Sequence, residues 1–377
     1  MRIAIDAREL HGKPTGVGRM VRTLLDEWAT MPAAQAHEFI SLAPAPERSK
    51  GGTLWEQLTL PRLVRQASAD VLFAPAYSGP VVSSVPVIVL IHDVSFVAHP
   101  EWFGWREGTR RRLTTRLAAR AATRIITVSE FSKREIAAHL GIETSKISVC
   151  YPGVTSFTGG TSVKGSPHRC AVLFVGSIFN RRHVPELIEG FTQLARNRPE
   201  IELEIVGDNR TTPHVNLDSL VEATGIAGRI QLRSYVSDDD LRRRYAEAAG
   251  FVYLSEYEGF ALTPLEALAA GVPVLLLDTP VAREVYGDAA IYVARPDPAL
   301  IADAIRTVLF EPRHRERILQ AATGVLRRYS WTRFAEQVLD LLLDAGSRGP
   351  NGSASHRGSA PHPGSAPDHR SSARHTR

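Results

Sequence analysis

Short apolar runs of strand length alternate with longer helical patterns along this chain, and the alternation occurs twice. Ile3–Ile5, Val71–Phe73, Val87–Ile91 and Ile125–Val128 read as strands, with helical patterns such as Val17–Trp28 and Arg106–Ala122 between them. A strand covered on both faces carries apolar side chains without alternation, as these runs do. The pattern then restarts with Ala171–Val175, Glu202–Val206, Ile230–Leu232, Phe251–Leu254 and Val274–Leu277. Helices near His183–Arg196, Asp238–Ala249 and Pro264–Ala270 separate this second set. Alternating strand and helix predicts a doubly wound α/β architecture. Two such runs predict two Rossmann-like domains facing across a cleft, an N-terminal one over 1–155 and a C-terminal one over 165–330. Pro152–Pro167, rich in Gly, Ser and Thr and without periodicity, reads as the linker. The last periodic helix is Thr332–Leu343, and residues 345–377, which repeat Gly-Ser-Ala-Pro, are expected to be a disordered tail.

Composition narrows the classes. The 377 residues carry a net charge of +5, compatible with phosphate-bearing partners or an anionic membrane surface. No recognition motif accompanies the charge, so nucleic acid is not expected as a partner. Two cysteines, Cys150 and Cys170, without a CxxC pair argue against a disulfide framework and a cysteine-rich zinc site. The N-terminus has no apolar stretch of signal-peptide length, and Val85–Ile91 is too short to cross a bilayer. A cytoplasmic protein is expected.

In open parallel sheets, ligands sit beyond the carboxyl ends of the strands, so the residues just after each strand are the candidates. Glu258–Glu266, reading EGFALTPLE, follows the strand Phe251–Leu254. Gly259 allows a ligand close to the backbone. Thr263-Pro264-Leu265-Glu266 reads as a helix start with a capping box, so Glu266 is open to a structural and a ligand-binding reading. Glu258 reads either as a solvated loop carboxylate or as a cleft residue. Gly176 to His183 follows the strand Ala171–Val175; Arg181 and Arg182 there suit a diphosphate or form a solvated basic turn. Gly16-Val17-Gly18-Arg19 lies between the first strand and the first helix and reads as a tight turn or a backbone approach site. It is not the dinucleotide fingerprint, because Val21 stands at the third glycine position. His92-Asp93 follows the buried strand Val87–Ile91, where a histidine can be structural or chemical. Ser129 reads as a helix cap at a strand end. Asp238-Asp239-Asp240 has the Asp-x-Asp spacing of metal sites but reads as acids at a helix N-terminus, and no metal is expected.

Several of these segments together resemble the retaining glycosyltransferases of family 4, with the GT-B fold and mannosyltransferase-like character. The resemblance rests on EGFALTPLE, Gly271–Val274, Asp278–Ala290 and the His-Asp-x-Ser-Phe segment starting at His92, in that family's order. It implies a hexose transfer from a nucleotide diphosphate-sugar, GDP-mannose favoured, to a glycan or lipid-linked glycan in cell-surface polysaccharide synthesis. It implies no cofactor beyond the sugar nucleotide. His92, Glu258, Arg181 and Arg182 would then be catalytic. Gly16, Gly18, Gly176, Tyr235, Val236, Gly259, Phe260, Ala261, Leu262, Thr263 and Glu266 would line the donor. Arg19, Asp93 and Ser129 would face the acceptor. The block 331–344 would return to the N-terminal domain. Arg-Arg-His at 181–183 departs from the family's usual Arg-Lys-Asn while keeping both charges. A nucleotide-sugar epimerase on the same fold and a non-catalytic sugar-nucleotide-binding partner are the rival classes. Arg106–Arg124 carries seven arginines, with Arg112, Arg116, Arg120 and Arg124 at every fourth residue and Trp102, Phe103 and Trp105 upstream. It reads as a solvated helix or as a peripheral docking face for an anionic membrane on the inner side of the cell.

Overall fold

The computed structural model describes residues 1–11, 16–44, 52–154 and 170–348. The first half forms a parallel sheet of β1 (Arg2–Asp6), β2 (Glu38–Leu42), β3 (Val71–Ala74), β4 (Val87–Leu90), β5 (Arg124–Thr127) and β6 (Ile147–Val149), in the order β2-β1-β3-β4-β5-β6. The second half forms another from β7 (Cys170–Val175), β8 (Ile201–Val206), β9 (Ile230–Arg233), β10 (Gly250–Tyr253), β11 (Val274–Leu277) and β12 (Ile291–Val293). Its order is β12-β11-β10-β7-β8-β9, again parallel. Each sheet therefore has one point where the winding reverses, between β1 and β3 in the first and between β7 and β10 in the second. Crevices at such points are where doubly wound sheets bind ligands.

Each face of the first sheet packs on helices. Ile3, Ile5, Phe73, Ile88 and Leu90 meet Met20, Leu24 and Trp28 of helix Gly16–Thr30 and Phe334, Val338 and Leu342 of helix Trp331–Arg348. Ala4, Leu72, Ala74 and Val89 on the opposite face meet Leu60, Val64, Ala119 and Ile136. The alternation along β1 and β3 is the two-residue period of a strand. Full burial of a Leu- or Phe-sized side chain contributes about 1.5–3 kcal/mol, so these two layers supply most of the stability of this half.

Helix Trp331–Arg348 follows the second sheet in sequence but docks on the first. Trp28 Nε1 donates to the Ala335 carbonyl at 3.0 Å, and Thr332 Oγ1 donates to Glu27 Oε2 at 2.8 Å. The helix runs to Arg348, which pairs with Asp344 one turn earlier, so residues 345–348 belong to it and not to the tail. The rest of the tail, and all of the expected linker beyond Val154, lie outside the described residues.

Candidate active site

The reversal point of the second sheet brings the loops after β7 and β10 together. At its centre one oxygen of Glu258 takes four donors. Arg182 Nε and Nη2 donate to Oε1 at 2.9 and 2.8 Å, Tyr253 OH at 2.9 Å and Ser255 Oγ at 2.8 Å. Oε2 takes no hydrogen bond among the described residues. Burial works to raise the carboxyl pKa, but the charges of Arg182 and Arg181 and the bond from Ser255 outweigh it and hold it below the ordinary value. Arg182 folds back over the loop start: its Nη1 donates to the Ser177 carbonyl at 2.6 Å. Gly176, at φ 144, makes room, since a Cβ there would lie 2.8 Å from that nitrogen.

Arg181 stands differently. Its guanidinium lies 4.4 Å from the centroid of Phe179 and 5.7 Å from that of Trp102, which belongs to the first half. Its Nε is buried without a hydrogen-bond partner, and the side chain makes no ion pair among the described residues. A buried, unpartnered donor on a fixed cation is a demand for an anion.

The first half supplies the facing wall. His92 and Asp93 follow β4. His92 Nε2 donates to the Pro75 carbonyl at 3.1 Å, which leaves Nδ1 as the acceptor. Burial lowers the imidazole pKa, against the bond to Pro75 and the Asp93 charge, so the ring is neutral at pH 7. Asp93 does not orient that ring: Oδ2 accepts from Tyr77 OH at 3.0 Å and Oδ1 from the Ser95 N–H at 2.8 Å. Its charge is nevertheless felt at Arg182 across the cleft.

Gly259 joins the two walls. A Cβ at this position would lie 2.1 Å from the His92 carbonyl oxygen, so only glycine admits the contact. Ser129 Oγ donates to the Gly259 carbonyl at 2.6 Å, and Ser132 Oγ donates to the His92 carbonyl at 2.8 Å. Ser129 is fully buried and caps helix Glu130–Leu140, so it holds the halves together instead of facing an acceptor. Phe260 is buried against Tyr151 and Tyr329. Ala261 takes the left-handed conformation, φ 63, with its carbonyl held by Tyr286 OH. Such strain in a non-glycine residue is kept where the surroundings over-determine it, and sites are where it clusters.

The reading of Glu266 as half of a capping box is overturned. Helix Thr263–Ala269 is capped by Leu262, with no side-chain bond, and Thr263 is its first residue. Glu266 Oε2 instead accepts from Tyr245 OH at 3.0 Å. Burial raises its pKa, against that bond and the charge of Arg19. Leu262 and Thr263 are half-buried beside it. Arg19 thus belongs with Glu266 and not with Asp93; its Nη2 reaches Asp238 Oδ1 at 3.0 Å from the other half. Gly16 and Gly18 are not in a turn before the helix: they form its first turn. Tyr235 and Val236 follow β9, with Tyr235 68% exposed. Asp238, Asp239 and Asp240 open helix Asp238–Glu247 under a Ser237 cap and pair with Arg19, Arg242 and Arg243.

Sequence reasoning missed Tyr253, Ser255, Trp102 and Glu284. The last takes two helix-start amides from the other half, Glu130 N–H at 2.7 Å and Phe131 N–H at 2.8 Å, together with Tyr151 OH at 3.0 Å. The strand end was a signal for Tyr253 and Ser255, which lie at and just after the close of β10; Trp102 and Glu284 carried none.

Comparison with known proteins agrees with this geometry. The Glycosyltransferase Family 4 model matches residues 15–156, and the Glycosyl transferases group 1 model matches residues 166–325. The chain is 28% identical to O-antigen chain mannosyltransferase B of Escherichia coli, over 67% of this chain and 69% of that protein. It is 29% identical to the phosphatidyl-myo-inositol mannosyltransferase of Mycobacterium tuberculosis, over 57% of each chain. The matches therefore span a little over half to about two thirds of these relatives' lengths. Among solved structures, Anabaena HepE in complex with UDP-glucose superposes with a TM-score of 0.70 at 17% identity, covering 91% of this chain and 99% of that one. WaaG, a glycosyltransferase involved in lipopolysaccharide biosynthesis, superposes with a TM-score of 0.68 at 18% identity over the same shares. Two parallel six-stranded sheets with a closed wall between them, both family models in chain order and mannosyltransferase relatives make this chain a GT-B glycosyltransferase of family 4.

Proposed function

We propose that the enzyme moves a hexose, with retention, from a nucleotide diphosphate-sugar to a glycan or lipid-linked glycan in cell-surface polysaccharide synthesis. GDP-mannose is the favoured donor, because the curated relatives named above are mannosyltransferases. The observation that carries the reading is the unpartnered Arg181 cation beside the Glu258–Arg182 pair, opposite a neutral His92.

In this reading the acceptor hydroxyl attacks the anomeric carbon as the bond to the leaving phosphate breaks. The proton passes to a phosphate oxygen on the same face, and a nucleoside diphosphate leaves. Positive charge grows on the sugar and negative charge on the phosphate. Arg181 meets the phosphate charge, and a pre-placed donor of this kind contributes about 3–4 kcal/mol to the transition state. Arg182, tied to Glu258, contributes field more than contact. Glu258 Oε2 and His92 Nδ1 accept hydrogen bonds from the hexose hydroxyls and set its orientation. Glu266 binds the ribose, and Tyr235 with Val236 sits at the base. Gly16 and Gly18 let the donor approach the first half, and Asp93 faces the acceptor. The clasp at Gly259 excludes water and limits hydrolysis.

The acceptor's lipid part fits a docking face on the first half. Trp105, Leu113 and Leu117 are exposed on helix Trp105–Ala121, beside Arg106, Arg110 and Arg120, which make no ion pair among the described residues. Leu54, Leu58, Val81 and Val82 of the same half are also exposed. Arg124, by contrast, has left the helix for β5. No described helix is long and apolar enough to cross a membrane, so contact would be peripheral.

A binding screen against GDP-, UDP- and dTDP-sugars tests the donor, and binding of none sinks the reading. Sedimentation with phosphatidylglycerol vesicles tests the docking face. Equal binding to phosphatidylcholine, or no loss in an Arg106→Glu, Arg110→Glu variant, refutes that part.

A further inference from the structure

The turn that carries Arg181 and Arg182 ends on His183, at φ 49. Its side chain is 13% exposed and lies between two carboxylates from different elements. Nδ1 is 3.3 Å from Glu186 Oε1, on the helix Val184–Ala195 that His183 opens, and Nε2 is 2.9 Å from Glu256 Oε1, in the loop after β10. The main chain makes the same connection: the Glu256 N–H donates to the Arg181 carbonyl at 2.9 Å. Two residues after Glu256 comes Glu258, the partner of Arg182. His183 therefore sits where the arginine turn is fastened to the loop of Glu258.

The two ring–carboxylate contacts are charge contacts without an aligned hydrogen bond at either ring nitrogen, and only the imidazolium, which carries a proton on both nitrogens, is drawn to both carboxylates. In the neutral ring one nitrogen lone pair would face a carboxylate, and one of the two links would be lost. We propose that His183, as the imidazolium, is a positioning residue for the donor diphosphate: it locks the arginine turn onto the Glu258 loop, and its deprotonation loosens the grip of Arg181.

The charged groups that face the ring are Glu186 and Glu256, with Arg181 and Arg182 in its own turn. Burial pulls the imidazole pKa down, and the two carboxylates more than reverse this, so it stands above its ordinary 6.5. The sign follows. The lock is complete below pH 6.5 and is lost as pH rises through the raised value. Glu186 and Glu256 are both more than a third exposed, so water screens the pair and the expected effect is modest, about three- to tenfold in donor affinity.

The proposal rests on the donor-site reading above. GDP-mannose and UDP-glucose are the probes, because their diphosphates have no terminal phosphate to titrate. Calorimetric affinity of the full chain should fall about three- to tenfold between pH 6 and pH 8.5. His183→Asn tolerates the same left-handed backbone but cannot be protonated. It should bind with the weak affinity of the wild type at pH 8.5 at every pH. A pH dependence retained in His183→Asn, or absent from the wild type, overturns the proposal. A second readout needs no donor: the His183 ring resonance, assigned by its loss in His183→Asn, should titrate above 6.5 and move down in Glu256→Gln. An unmoved midpoint refutes the lock while leaving the donor site intact. Failure of both probes at every pH, with the midpoint raised, refutes the donor-site reading and the proposed ligand with it.

Discussion

Replacing Arg182 by alanine strands the Glu258 carboxylate. Oε1 loses two of its four donors, both charge-assisted, and keeps Tyr253 and Ser255. Removing one partner of a buried pair costs about 3–5 kcal/mol, because the other charge stays buried without compensation. Glu258→Ala mirrors this, leaving Arg182 without an ion pair among the described residues, held by the Ser177 carbonyl and the rings of Phe179 and Tyr253. At 2–4 °C per kcal/mol for a domain of this size, each single variant should melt about 6–20 °C lower. The double variant removes both charges, so its loss should fall short of the sum by about 2–3 kcal/mol. Scanning calorimetry on the four proteins reads this directly. The double variant should melt higher than the sum of the two single shifts predicts, without recovering transfer, which both singles lack. Additive melting shifts would refute the claim that the two side chains form one coupled unit. Transfer near the wild-type level in both singles would remove them from the site.

Three further outcomes are expected. Arg181→Ala should lower kcat about 10²- to 10³-fold, as for the loss of one transition-state donor. Its melting shift should stay within a few degrees, since only ring contacts of about 0.5–1 kcal/mol each are lost; a large destabilisation would contradict the description of an unpartnered cation. Glu284→Ala removes three hydrogen bonds that join the halves, about 2–4 kcal/mol, and should widen the particle in small-angle scattering; an unchanged scattering curve would show that Glu284 is not a latch. Glu258 has a depressed folded-state pKa, so its stabilisation is full above the ordinary 4.5 and is lost as pH falls through the folded value. The acid limb of the stability curve below pH 4.5 should therefore flatten in the double variant Arg182→Ala, Glu258→Ala, and an unaltered limb counts against this.

The strands most legible in the sequence are continuous apolar runs covered on both faces, such as Val87–Leu90. The three missed ones, Glu38–Leu42, Ile147–Val149 and Ile291–Val293, are all sheet edges. These three are half-exposed or only three residues long, so composition and period mark them weakly, although the fourth edge, Ile230–Arg233, was still legible. At the site, strand-end position found His92, Arg181, Arg182 and Glu258. It did not reveal that Arg182 closes on Glu258 while Arg181 stays open, because adjacent arginines in a turn diverge by a geometry the sequence does not encode locally. Thr263 and Glu266 carried a capping-box spacing, yet Tyr245 drew the carboxylate away; a tertiary partner won over a local one. Ser129 read as a local cap and Glu284 drew no reading of its own, and both are contacts between halves.

The central claim is that Arg181 meets the donor diphosphate at the reversal point of the second sheet. Calorimetric titration of GDP-mannose, UDP-glucose and dTDP-glucose into the wild type and Arg181→Ala tests it most directly. At least one sugar nucleotide should bind the wild type, and the variant should bind it at least about tenfold more weakly. Equal affinity in the two proteins, or no binding by the wild type, would contradict it.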